Sequence, residues 1–161
     1  MNERYRHTQT AWMLIVVIVA VVLAELTVVM FSGPQDTVSL ALSGAVVAVA
    51  AVMVALFSTL TVVVDDRAVR LWFGLGSLRR DVMMDEVTAA RRVRNSWHAG
   101  WGVRAIPGGR LYNVGGRDAV ELELDSGRVV RVGTDQPDAL LAAVNDAIGP
   151  GRGKPGGAAT G

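Results

Sequence analysis

Cysteine is absent from this chain of 161 residues, which excludes disulfides, thiolate metal sites and a cysteine nucleophile. Lysine is nearly absent, Lys154 being the single one, so arginine carries the basic charge. Histidine occurs only at His7 and His98, and no His/Asp/Glu cluster has metal-ligand spacing. The net charge of +1 lacks the global basic signature of a nucleic-acid binder. No Gly-rich phosphate loop of strand–loop–helix form occurs. The paired acids Asp65-Asp66, Asp85-Glu86 and Glu121/Glu123 fall in turns or on an alternating face read as exposed. Nothing here points to acid–base chemistry. The chain reads as non-enzymatic, without catalytic residues, cofactor, metal or small-molecule substrate.

Charge is also missing locally. Between Ala11 and Val64 the only ionisable residues are Glu25 and Asp36. Two apolar runs, 11–31 and 38–58, reach the roughly 20 residues a helix needs to cross a bilayer. The first is too long for the core of a signal peptide, and no small-x-small cleavage site follows it, so it reads as a retained span. The link Ser32-Gly-Pro-Gln-Asp-Thr37 breaks the helix and makes the two spans an antiparallel hairpin. Arg4 and Arg6 precede the hairpin, Arg67, Arg70, Arg79 and Arg80 follow it, and the link has no basic residue. That distribution predicts an integral protein of the inner (plasma) membrane with both termini cytoplasmic. Residues 1–10 then read as a cytoplasmic leader, and Trp12 as an interfacial anchor.

Small residues recur four apart at Ala20/Ala24, Ala41/Ala45, Gly44/Ala48 and Ala51/Ala55. Such spacing lets helix backbones approach closely and is expected to pack the hairpin against itself. Glu25 is the one charge inside a span. An intramembrane carboxylate is costly and by default a functional candidate, here for a small transport or channel component. It lies towards the outward interface, with no second charge to relay protons.

The uncharged run from Val38 to Val64 is too long for one span, and its end, Ser58-Thr-Leu-Thr-Val-Val-Val64, is β-branched and reads as strand. A membrane helix therefore passes directly into a soluble domain, 59–148. Asp65-Asp-Arg67 forms a tight turn into the alternating strand Val69–Phe73. Further strands are expected near 78–83, 87–93, 103–106, 110–114, 120–124 and 128–133, joined by Gly-rich turns. The spacing predicts a small antiparallel sandwich or barrel. One amphipathic helix closes it: Pro137 in its first turn, Leu140, Leu141, Val144, Ala147 and Ile148 on one face, Gly149-Pro150 at its end. The remaining tail to Gly161, rich in Gly, Pro and Ala, is expected to be disordered. The fold class is α+β.

About seven short strands followed by one amphipathic helix is the order of a pleckstrin-homology (PH) fold. Gly100-Trp-Gly-Val-Arg104, Tyr112-Asn-Val-Gly115, Ala119-Val-Glu-Leu-Glu-Leu124 and Val132-Gly-Thr-Asp-Gln-Pro-Asp-Ala-Leu140 resemble small bacterial membrane proteins that carry a PH-like domain behind a two-span hairpin. The resemblance covers roughly 59–148 and implies a fold without a catalytic set. Inositide-binding PH domains carry basic residues in the loop between their first two strands. Here that loop is Asp65-Asp66-Arg67, short and net acidic, so an inositide is not implied.

The leading expectation is a membrane-anchored interaction or scaffold module, with the lipid bilayer and a protein partner or its own copies as partners. Arg67, Arg70, Arg79 and Arg80 are candidate contacts to anionic lipid, which makes a lipid-surface sensor the alternative. Trp97 and Trp101, the latter between Gly100 and Gly102, are candidates for the rim of a partner-binding groove. Arg91-Arg92-x-Arg94 beside these tryptophans resembles a nucleic-acid patch. The near-neutral charge favours instead arginines on a strand's solvent face, so no nucleic-acid partner is expected.

Overall fold

The computed structural model describes residues 3–32, 36–76, 78–96 and 102–149. Its first element is a strand, β1 (Glu3–Thr10), where a leader was expected. β1 pairs antiparallel with β2 (Thr59–Asp65), Thr10 opposite Thr59 and Arg6 opposite Val63. Apolar alternation could not reveal β1, because polar side chains occupy both of its faces. Specific partners hold it instead. Arg4 Nε donates to Asp66 Oδ1 at 2.6 Å, and Gln9 Nε2 donates to the Gly115 carbonyl at 3.2 Å. The Thr8 and Thr61 hydroxyls are 2.9 Å apart, and His7 Nε2 is 2.6 Å from Asp135 Oδ1. The Arg6 guanidinium lies 6.0 Å from the centroid of the Trp72 ring, within reach of a cation–π contact.

The helices are thus an insertion between two neighbouring strands. α1 (Trp12–Phe31) has 20 residues and α2 (Thr37–Phe57) has 21, about 30 Å each at the α-helical rise. Both are long and apolar enough to cross a membrane, and neither buries a residue inside the protein. Asp36 caps α2, its Oδ1 accepting from the Ser39 backbone N–H at 2.8 Å. The less exposed positions include Leu14, Ile18, Val22, Glu25 and Val29 on α1, and Ser39, Ser43, Ala50 and Val54 on α2. They recur at helical spacing, and the helices meet along them. The small residues at Ala20, Ala24, Ala41, Gly44, Ala45, Ala48, Ala51 and Ala55 are exposed instead, and a Cβ at Gly44 would meet nothing within 4 Å. The α2 side of the seam thus runs through Ser39, Ser43, Ala50 and Val54, and the four-apart small pairs are not its less exposed positions.

β3 (Ala68–Phe73) and β4 (Leu78–Met83) complete a sheet of order β1-β2-β3-β4. A single 3-10 turn, Met84–Glu86, leads to β5 (Val87–Arg94), and then follow β6 (Gly102–Ile106), β7 (Gly109–Asn113), β8 (Asp118–Leu124) and β9 (Val129–Gly133). This second sheet has the order β5-β8-β9-β7-β6. Both sheets are open; they do not close into one barrel. Nor is the domain wholly antiparallel, because β7 and β9 pair in parallel, Gly109 opposite Val129 and Tyr112 opposite Val132. The segment after Asn113 carries the chain past a vacant strand position, and the β8–β9 hairpin folds back into it. Gly109 permits the pairing: a Cβ there would overlap the Val129 carbonyl oxygen.

α3 (Pro137–Ile148) packs on β5, β2, β8 and β1. Its Leu140, Ala143 and Val144 join Val62, Leu71, Phe73 and Val82 of the first sheet and Val120, Leu122 and Val132 of the second in one apolar cluster. Pro137 at the start and Gly149, with φ 81°, at the end bound this helix as its sequence implies.

Candidate functional site

The junction between helices and sheet is closely built. The Ala11 backbone N–H donates to the Ser58 carbonyl at 2.7 Å, joining the start of α1 to the end of α2. Gly74, in the turn after β3, donates its N–H to the Thr59 carbonyl at 2.9 Å. It adopts φ +44°, and a Cβ there would overlap the Ala55 carbonyl oxygen, so this turn stands against the last turn of α2. The Phe57 and Phe73 rings meet edge-on with centroids 6.4 Å apart, and Phe73 continues to Tyr112 at 6.5 Å. Ala11 and Leu60 are buried beneath this contact. Within the turn, Leu75 is 84% exposed, unlike the apolar residues of the domain core.

The four arginines that follow the second span in sequence separate in space. Arg67 lies in the β2–β3 turn, at the other end of β2 from α2, about 20 Å away at the strand rise. Arg70 is bound to Asp65. The Asp65 carboxylate also accepts from the Arg67 and Ala68 backbone N–H groups, at 2.8 and 2.9 Å. Burial alone would raise its pKa, but these bonds and the Arg70 charge outweigh burial and hold it below the ordinary carboxylate value. Arg79 pairs with Asp81 at 3.1 Å on the outer face. Arg80, opposite Leu71 in register, is exposed and has no carboxylate partner among the described residues. Trp97 and Trp101 lie outside the described residues, as do His98, Gly100, the link residues 33–35 and the tail beyond Gly149.

Glu25 sits between the helices and has a partner the sequence reading missed: Ser43 Oγ donates to its Oε1 at 2.6 Å. The pair crosses from α1 to α2, so the carboxylate joins the two helices. Its only signal in sequence was a serine six residues into α2, and a lone serine in an apolar run is uninformative.

Glu121 differs most from expectation. It was read as an exposed member of an acid pair, yet its side chain is 2% exposed. β8 lies between β5 and β9, and the register sets Glu121 directly opposite Arg91 on one side and Arg131 on the other. Arg91 donates Nε and Nη2 to Oε1 at 3.0 and 2.5 Å, and Arg131 donates Nε to Oε2 at 2.8 Å together with its Nη2. Two guanidinium forks thus close over one carboxylate. Burial would raise its pKa, but the hydrogen bonds and charges of Arg91 and Arg131 outweigh it and leave Glu121 below the usual range. Arg92 is held by Asp118 and Asp138, at 3.2 and 3.0 Å, and Arg94 is 3.8 Å from Asp118. The arginines of the apparent basic patch are thereby each placed beside a carboxylate.

No family model matches this chain, and no curated protein does. Among the described residues no three His, Cys, Asp or Glu side chains are grouped to hold a metal ion.

Proposed function

We propose that the chain is a non-enzymatic interaction module of the bacterial plasma membrane: a two-span anchor holding a PH-like domain at the cytoplasmic face. The carrying observation is the double junction. The chain enters the helical hairpin from β1 and leaves it into β2, and these strands are hydrogen-bonded to each other up to Thr10 and Thr59. A domain tied at two adjacent points, without a linker, presents its surface at a restricted angle to the bilayer. Arg4, Arg6, Arg79 and Arg80 all belong to the domain side, which supports the cytoplasmic orientation. Partner contact is assigned to open strand edges: among the described residues β4 pairs only with β3, and β6 only with β7. An open edge accepts another strand through main-chain hydrogen bonds. Cross-linking of the intact protein in native membranes, followed by mass measurement in mild detergent, tests this. A cross-linked partner or oligomer is expected; a monomer with no cross-linked neighbour retires the reading.

Leu75 favours a second role, contact with the lipid surface itself. Beside the last turn of a spanning helix, this exposed leucine meets the headgroup boundary, and Arg79 follows close by. The absence of cysteine makes Leu75→Cys a unique labelling site. A fluorophore there is expected to be quenched by lipids brominated near the headgroup. Quenching no stronger than that of the same label in the β2–β3 turn, at Arg67→Cys, sinks the lipid-contact role.

A further inference from the structure

Two arginines occupy inward-facing positions of the two sheets. In the first sheet Val62 pairs with Leu71 and Leu71 with Arg80. Directly opposed residues share a face, and Val62 and Leu71 are core residues at 5% and 0% exposure. Arg80 therefore takes an inward position between Leu78 and Val82. In the second sheet Leu122 pairs with Val130 and Val130 with Arg110. Leu122 and Val130 are buried in the core, so Arg110 shares their face; like Arg80 and Arg128 it is nonetheless exposed, at the open margin between the sheets. With Arg128, just before β9, these side chains line a cavity of 240 Å³ between β4 and the second sheet. Tyr112, Leu124, Val129 and Val130 form the rest of its wall. None of the three arginines has a carboxylate partner among the described residues.

An inward charge on an edge strand is a common guard against edge-to-edge pairing. That accounts for Arg80 in β4. It does not account for Arg110, because β7 is flanked by β6 and β9. Three guanidinium groups around one concavity repel one another and focus positive potential into it. Their forked donors match the oxygens of a phosphate better than a single carboxylate can satisfy three of them. The cavity is open to solvent and small beside the ~300 Å³ at which ordinary small-molecule pockets begin, a size that suits a compact anion.

We propose that this cavity binds a compact phosphate dianion, inorganic phosphate or a small phosphomonoester, between Arg80, Arg110 and Arg128. The assignment is independent of the interaction role above and lies apart from the acidic turn at Asp65-Asp66. Two sources share this chemistry, a soluble phosphate compound and a lipid with a phosphomonoester headgroup.

The test uses the full chain in lipid nanodiscs, titrated with inorganic phosphate and with glycerol phosphate at constant ionic strength. Saturable binding is expected, weakened about tenfold or more in Arg80→Gln/Arg110→Gln, the scale of a lost charge-assisted bond. Arg104→Gln, opposite Leu111 on the outer face of the second sheet, should leave it unchanged. If the double variant fails to fold, the single change Arg128→Gln in the turn before β9 gives the same reading. Discs containing a phosphomonoester lipid separate the sources: a lipid ligand suppresses phosphate binding there, and a soluble one does not. Absence of saturable binding in both kinds of disc overturns the proposal. So does binding equal in wild type and variants.

Discussion

Two arginine clusters on the same small domain behave in opposite ways. On the outer face of the second sheet, Arg91 and Arg131 close on Glu121, so that the buried carboxylate is answered on both sides. At the margin between the sheets, Arg80, Arg110 and Arg128 are exposed around a cavity and have no carboxylate partner among the described residues. The first arrangement is complete as it stands: remove one member and a buried charge loses its partner. The second is incomplete, and an incomplete positive cluster is where an anion gains most. Arginine content alone therefore says little about function; what matters is whether the carboxylates are already present.

The largest effect that tests this contrast is expected at Glu121. Glu121→Ala leaves Arg91 and Arg131, 62% and 25% exposed, facing each other across an emptied site, and the lost charge-assisted bonds cost about 1.5–3 kcal/mol. The readout is the thermal melt of the full chain in detergent, followed by near-ultraviolet circular dichroism. A loss below about 1 kcal/mol would place the cluster with ordinary surface pairs and break the comparison.

Acid gives the next largest effect. Glu121 and Asp65 have folded pKa values held below their ordinary ones. Their stabilisation is present in full above the ordinary carboxylate value, and is lost as pH falls below it through the depressed folded values. The melt temperature should drop in that window, and Glu121→Gln should flatten the part of the slope that belongs to this site. Equal slopes in both proteins would remove Glu121 from the account.

The smallest effect is expected in the cavity. In phosphate-free buffer, Arg110→Leu replaces an exposed charge without a carboxylate partner among the described residues by an apolar side chain. Its melt should change by no more than about 0.5 kcal/mol either way. A loss comparable to that of Glu121→Ala would mean that Arg110 has a structural partner, and the two clusters would cease to differ.

Much of the architecture was legible because it is local. The two long apolar helices are declared by long uncharged runs, and the β-branched end of the second run marks β2, which begins at Thr59. Alternation exposed β3 and β8, and Pro137, Leu140, Val144 and Gly149 bound and orient α3. β1 was illegible for the opposite reason: its side chains are polar on both faces, and what binds it is Asp66, Thr61, Gly115 and Asp135, all remote in sequence. Its presence also changes how the domain can be handled. A linker inserted after Ser58 alone leaves β1 holding the hairpin, so freeing the orientation requires linkers on both sides.

The sequence by itself determined the helical spans, most of the strands and their turns, because run length and side-chain period are properties of neighbouring residues. Only the tertiary structure decided that β1 joins the first sheet, that β9 lies parallel to β7, and that Glu121 is covered. It alone brought Arg80 and Arg110 to one cavity. Each of these depends on which strands become neighbours, and strand pairing is settled by contacts between distant segments that no local pattern encodes.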